Sequence, residues 1–344
     1  MNKPKKGFPV PHVYVILLAL ILLCAACSKE AEEPVPAPET ADPIPAPVIA
    51  EPARAQLRLD LERLGVGTVS QVLPLTKRVV AMGVQASRFP QLLLVDITNG
   101  RVLNEIGLTG ELIGLSLLSE GEQPPFLLTD GSGGEIRVDE NWQMTFAHAQ
   151  GVPDRFTDEE NKILVDGQVV LEGPGYQLLY LPETDHRLVY FYPGGYDDDG
   201  DWTDIYCLYD TLTGESRVLA DDGRQVLARI GGSFLLGRQE GKGSGMYDLR
   251  LLDPNSGKEL PITRNHDSEE NAIDDWRFNG DSTRMSVTWI KDGMEYVEVY
   301  DLETGLLRYD WAAPAASRYD FHPVGRDKLL VHCREGDVLW QVKY

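Results

Sequence analysis

The stretch "VEVYDLETGLLRYDW", residues 297–311, decides the fold. It reads as a run of strand formers, an Asp, three residues, a Gly and a second strand. The same layout returns at "LLLVDITNGRVLNEI" (92–106), "YCLYDTLTGESRVLA" (206–220) and "LRLLDPNSGKELPIT" (249–263). The physical logic is a hairpin. Asp96, Asp210, Asp253 and Asp301 each cap a turn through the side chain, and Gly100, Gly214, Gly257 and Gly305 supply the positive φ that closes it. Weaker copies stand at Asp139 ("IRVDENWQMTF") and Asp166 ("ILVDGQVVLEG"). The last three strong copies recur roughly every 45 residues, the length of one four-stranded propeller blade. A β-sandwich has no such period. The expected class is all-β, a six- or seven-bladed β-propeller.

Around the hairpins a larger unit repeats. "DDWRFNGDSTRMSVTWIKDGMEYVEVYDLETG" (274–305) resembles the blade of the TolB-like, or WD40-like, bacterial propellers: an aromatic near a turn, a strand, a loop, then a strand ending in Asp-x-x-x-Gly. Trp276, Phe278, Asn279, Gly280 and Asp281 occupy the turn, and Phe321, Pro323 and Gly325 repeat it in "RYDFHPVGRDKLLVHCREGDVLWQVKY". The resemblance is strong over residues 174–344 and thin over 66–173. It implies the propeller shape and, from the roles of such proteins, work in envelope assemblies. The last blade stops one strand short at "VLWQVKY", and "TVSQVLPL" (68–75) is expected to complete it and close the ring. Before it, Leu57, Leu61 and Leu64 at helical spacing, between Pro52 and Gly65, read as a short amphipathic helix.

The N-terminus sets the compartment. Lys3, Lys5 and Lys6 precede the apolar run "HVYVILLALILLCAAC", the layout of a secretion signal. The apolar core falls short of the roughly 20 residues of a membrane span. Its end, Ala25-Ala26-Cys27, resembles the lipobox of bacterial lipoproteins, although Cys24 stands where Leu is usual. The resemblance implies cleavage before Cys27 and acylation of Cys27, a lipid anchor in the cell membrane or outer membrane. A redox or zinc role for the Cys24–Cys27 pair is the weaker reading. A redox CxxC opens a helix in a folded domain, and no second Cys pair completes a zinc site. After Cys27, alternating Pro and Ala make an extended, disordered linker with a reach on the order of 80 Å. The expected organisation is a signal peptide over 1–26, the lipidated Cys and linker over 27–55, and the propeller over 56–344.

The formal charge is −22, and loss of the signal removes three lysines more. Such a surface repels nucleic acid and anionic lipid. Cys207 and Cys333 lie in apolar runs and read as buried thiols. No Gly-x-Ser-x-Gly elbow occurs, and the serine of "GKGSG" (241–245) is out of register. "GRQEGKGS" (237–244) departs from P-loop spacing and reads as a hairpin tip. His148, His186, His266, His322 and His332 show no HExxH spacing and read as surface or strand residues. "PGGYDDDGDWTD" (193–204) alternates Asp197, Asp199 and Asp201 as oxygen ligands do in calcium loops, but Trp202 stands where an EF-hand needs Gly. It is either a solvated hairpin loop or a weak calcium site. The acidic stretch "HDSEENAIDDW" (266–276) falls at a blade connection. With no catalytic motif, the expected function is a non-enzymatic protein-binding or scaffolding module with an envelope protein as partner. The alternative is a carbohydrate- or peptide-binding or hydrolysing propeller with carboxylates at the channel mouth.

Overall fold

The computed structural model describes residues 49–344 except 66, 86–89, 109–111, 113, 118–122, 132–133, 148–154, 180–185, 197–201, 240–244, 264–265 and 269–270. Among the described residues, seven antiparallel sheets follow one another along the sequence. Blade 1 takes residues 68–107, blade 2 116–147, blade 3 156–172, blade 4 177–220, blade 5 225–261, blade 6 275–314 and blade 7 319–343. In blades 1 to 6 the strands pair in sequence order; blade 3 shows three described strands, the others four. The protein is a seven-bladed β-propeller.

The long apolar runs have a simple cause. Successive side chains of a strand point to opposite faces, and a propeller strand has a neighbouring blade on each face. In blade 1, Leu93 and Val95 pack towards blade 7, against Leu330 and Leu339. Leu92 and Leu94 pack towards blade 2, against Phe126 and Leu128. In blade 5, Leu235 joins blade 6, while Phe234 and Leu236 join blade 4. The ring's core is therefore a series of thin apolar layers between blades. Each buried Leu or Val contributes roughly 1.5–3 kcal/mol.

The four strong hairpins form as their residues dictate. The Gly100, Gly214, Gly257 and Gly305 N–H groups donate to the carbonyls of Asp96, Asp210, Asp253 and Asp301 at 2.8–2.9 Å. Those glycines sit at φ 67–73°. Each Asp side chain accepts the backbone N–H two residues on, at 2.9–3.0 Å. Three of them also take a cation from the neighbouring strand or the residue just before it: Arg78 for Asp96, Arg187 for Asp210 and Arg284 for Asp301. The weaker copies differ. Trp142, not Gly, takes the positive φ near Asp139. Asp166 and Gly167, at φ 50° and 75°, form the two-residue turn between Val165 and Gln168.

Ring closure corrects two expectations. Thr68–Pro74 does not complete the last blade; it is the first strand of blade 1, paired with Val79–Gln85. The closing strand is Ala55–Asp60, antiparallel to Val338–Lys343. The segment expected as a helix is thus a strand followed by a 3-10 turn, Leu61–Leu64, closed by Gly65 at φ 67°. Leu57, Leu59 and Leu61 also fit period 2, and they pack into the blade 7–blade 1 layer. An isolated helix turn is costly to nucleate. Pairing the open edge of blade 7 satisfies a row of backbone groups instead. The last blade does lack a strand of its own, as its sequence indicates.

Candidate functional site

The first strands of the consecutive blades 6, 7, 1 and 2 line one side of the ring's channel, with a cavity of about 590 Å³ between them. Its charged groups come from blades 6 and 7. Asp320 and His322 alternate on Tyr319–Val324, which puts both on one side of the strand. Arg277 lies on Asp275–Phe278. Arg334 follows the strand Lys328–Cys333.

These residues form one network. Arg334 grips Asp320 with two bonds, Nε to Oδ2 at 2.6 Å and Nη2 to Oδ1 at 2.7 Å. Arg277 Nη2 reaches the same carboxylate at 3.4 Å. Arg277 Nη1 donates to His322 Nε2 at 2.8 Å, and its Nε donates to Asp275 at 3.0 Å. His332, fully buried, faces Asp320 across the strand pair with Nδ1 3.4 Å from Oδ2.

The electrostatics follow. Burial alone would raise the Asp320 carboxyl, but His332 and Arg334 prevail and hold it well below the usual carboxylate range. Burial, then the Arg277 charge, holds the His322 imidazole well below its ordinary value, so it is neutral. Asp320 is therefore a fixed anion at neutral pH, and the His322 nitrogen facing Arg277 already accepts a hydrogen bond. A second, smaller cavity of about 260 Å³ adjoins the network, lined by Asp274, Trp289, Glu295 and Tyr319 among others. Burial raises the Glu295 carboxyl, which accepts the Tyr319 N–H at 3.1 Å.

Cys27 lies outside the described residues, as do Asp197, Asp199 and Asp201. The strands that bracket the acidic loop, Arg187–Tyr196 and Trp202–Asp210, pair as a hairpin in blade 4. Among the described residues no three His, Cys, Asp or Glu are grouped to hold a metal. Cys207 and Cys333 are buried and free. The acidic stretch 266–276 does connect blades 5 and 6. There His266 is buried, its Nδ1 2.5 Å from the Asn271 carbonyl and its Nε2 3.2 Å from Glu298, which Tyr300 also contacts. This clasp holds the connection to blade 6.

Motif reading missed Arg277, Asp320, His322 and Arg334. Their signal is faint but real. "DWRF" and "YDFH" alternate charged or polar residues with aromatics, so one face of the strand is apolar and the other meets the channel.

No family model matches the sequence, and no curated protein matches it. Among solved structures it is similar to the acylaminoacyl peptidase of Pyrococcus horikoshii (TM-score 0.44, 11% identity, 79% of this chain and 50% of that one). It is similar to an oligogalacturonate lyase in complex with manganese (0.45, 11%, 80% and 89%). A third is TolB from Acinetobacter baumannii (0.31, 12%, 77% and 79%). The protein spans half the length of the peptidase. Likeness at this level carries no argument about activity.

Proposed function

We propose that this protein is a lipid-anchored propeller of the cell envelope that binds a protein partner at its channel and holds it there. The leader ends at Ala26, Cys27 carries the lipid, and the Pro-rich linker sets the propeller off the membrane surface, cell or outer. The observation that carries the binding role is the preformed channel cavity of about 590 Å³, where paired charges meet apolar walls. That size and mixture suit a short peptide segment. The groups with acid–base chemistry there, Asp320 and His322, are tied to arginines, which supports recognition over turnover. The test is in-cell crosslinking of the tagged, lipidated protein, then mass spectrometry. The expected result is one dominant envelope protein, lost when the propeller is deleted and the anchor kept. No specific partner would contradict the proposal. In parallel, Cys27→Ala is expected to leave the protein uncleaved or soluble; membrane-bound, lipid-labelled C27A would refute the anchor.

A second reading is a small sugar or peptide ligand, bound or hydrolysed at the channel mouth. It is favoured by Glu295, whose raised carboxyl shares the second cavity with Asp274 and Asp275. Turnover of a glycan or peptide panel, abolished by Glu295→Gln, would select it.

A further inference from the structure

The channel cavity holds two guanidinium groups, and their surroundings differ. Arg334 is committed to Asp320 through two short bonds. Arg277 divides its donors among three weaker partners. One is Asp320 at the longer 3.4 Å. One is His322, which is neutral and adds no countercharge. The last is Asp275, two residues away on the same strand, with its side chain 54% exposed and so well screened by water. Arg277 is itself about one-third exposed, facing both cavities. Of the two guanidinium groups in the wall, Arg277 has the longer and more water-screened ion pairs, and a guanidinium fork matches a carboxylate.

The backbone adds a second feature. Among the described strands, Thr68–Pro74, Asp275–Phe278 and Tyr319–Val324 are each terminal in their sheets, with a strand partner on one side only. Their other edges present backbone donors and acceptors, apart from groups such as the Tyr319 N–H that side chains already hold, as peptide-binding sheet edges do. The net charge of −22 disfavours a strongly acidic ligand.

We propose that the channel takes an extended peptide carrying a single carboxylate, and that Arg277 is the residue that binds that carboxylate. The proposal rests on the channel being the partner-binding site. The carboxylate is either the peptide's own C-terminus or one Asp or Glu side chain. Asp275 is then a built-in competitor, an internal carboxylate that the ligand displaces from Arg277 Nε.

The test uses three peptides labelled with the uncharged dye nitrobenzoxadiazole on the full mature protein. One is Gly-Ser-Ala-Leu-Ala with a free C-terminus, one the same with an amidated C-terminus, and one the amidated form with Glu replacing Ser. At least one carboxylate form is expected to bind about tenfold or more tighter than the neutral amide, as a charge-assisted pair supplies. Which of the two binds assigns C-terminus or side chain. Arg277→Gln is expected to erase the difference and Arg277→Lys to keep part of it. Asp275→Asn is expected to tighten carboxylate binding several-fold, an effect that lost stability would not produce. The His322 imidazole nitrogen signals should shift with the carboxylate peptide alone. Equal or absent binding of all three peptides, or an Asp275→Asn variant that binds no tighter, overturns the proposal. A crosslinked envelope partner alongside that failure leaves the binding role standing without the carboxylate. Carboxylate binding without any envelope partner keeps the site and removes the scaffolding role.

Discussion

At the residue scale, the Asp-x-x-x-Gly hairpin is where sequence and structure agree most closely, because the motif is local. Asp and Gly do their work within five residues, so nothing distant is needed to read it. The tolerance of each copy does depend on neighbours that no motif displays. A Cβ on Gly214 would meet nothing closer than 4.0 Å, whereas on Gly305 it would sit 2.5 Å from the Pro261 carbonyl oxygen. Gly214→Ala should therefore cost about 1–2 kcal/mol, the strain of a left-handed residue. Gly305→Ala should cost about 3 kcal/mol or more. Urea unfolding of the two variants measures the difference; equal costs would mean the Pro261 contact gives way freely. The Asp side chains make a second prediction. Bonds from Arg78, against the cost of burial, lower the Asp96 carboxyl to about 2. Its unfolded value is about 3.9. Its contribution is thus fully present above that unfolded value and is lost as pH falls through about 2. Between those limits, stability of the intact protein should fall more steeply than that of Asp96→Asn, by about 2 kcal/mol in total. Superimposable acid curves would remove Asp96 as a stabilising anion.

At the element scale, the strands themselves were legible and their partners were not. The run "LLLV" announces a strand buried on both faces, but only the ring says that Leu93 meets blade 7 and Leu92 meets blade 2. The same limit explains the closing strand. Leu57, Leu59 and Leu61 satisfy both helix and strand periods, and the choice is made by the edge of Val338–Lys343, nearly 280 residues away. Truncation through Asp60 should leave that edge open. The expected outcome is a lower urea midpoint and concentration-dependent association in ultracentrifugation. A truncated protein that stays monomeric with an unchanged midpoint would contradict ring closure by Ala55–Asp60.

At the scale of the whole molecule, the site is the part the sequence hid best. Arg277 and Asp320 stand 43 positions apart and carry no motif spacing. They meet because the first strands of blades 6 and 7 both front the channel. The acidic run at Asp197, Asp199 and Asp201 is conspicuous in the sequence because its charges are close together along the chain. The channel network has no local signature, because its charges alternate with aromatics on separate blades. The binding role stands or falls on the channel as the place where the partner sits. The most direct measurement places a photo-crosslinking side chain at Ser116, in the channel wall, or at Val169, exposed on the last described strand of blade 3, in the lipidated protein in cells. The expected result is an adduct with one envelope protein from position 116 that disappears in Arg277→Gln, and none from position 169. The same adduct from position 169 alone would place the partner on the rim and contradict binding in the channel.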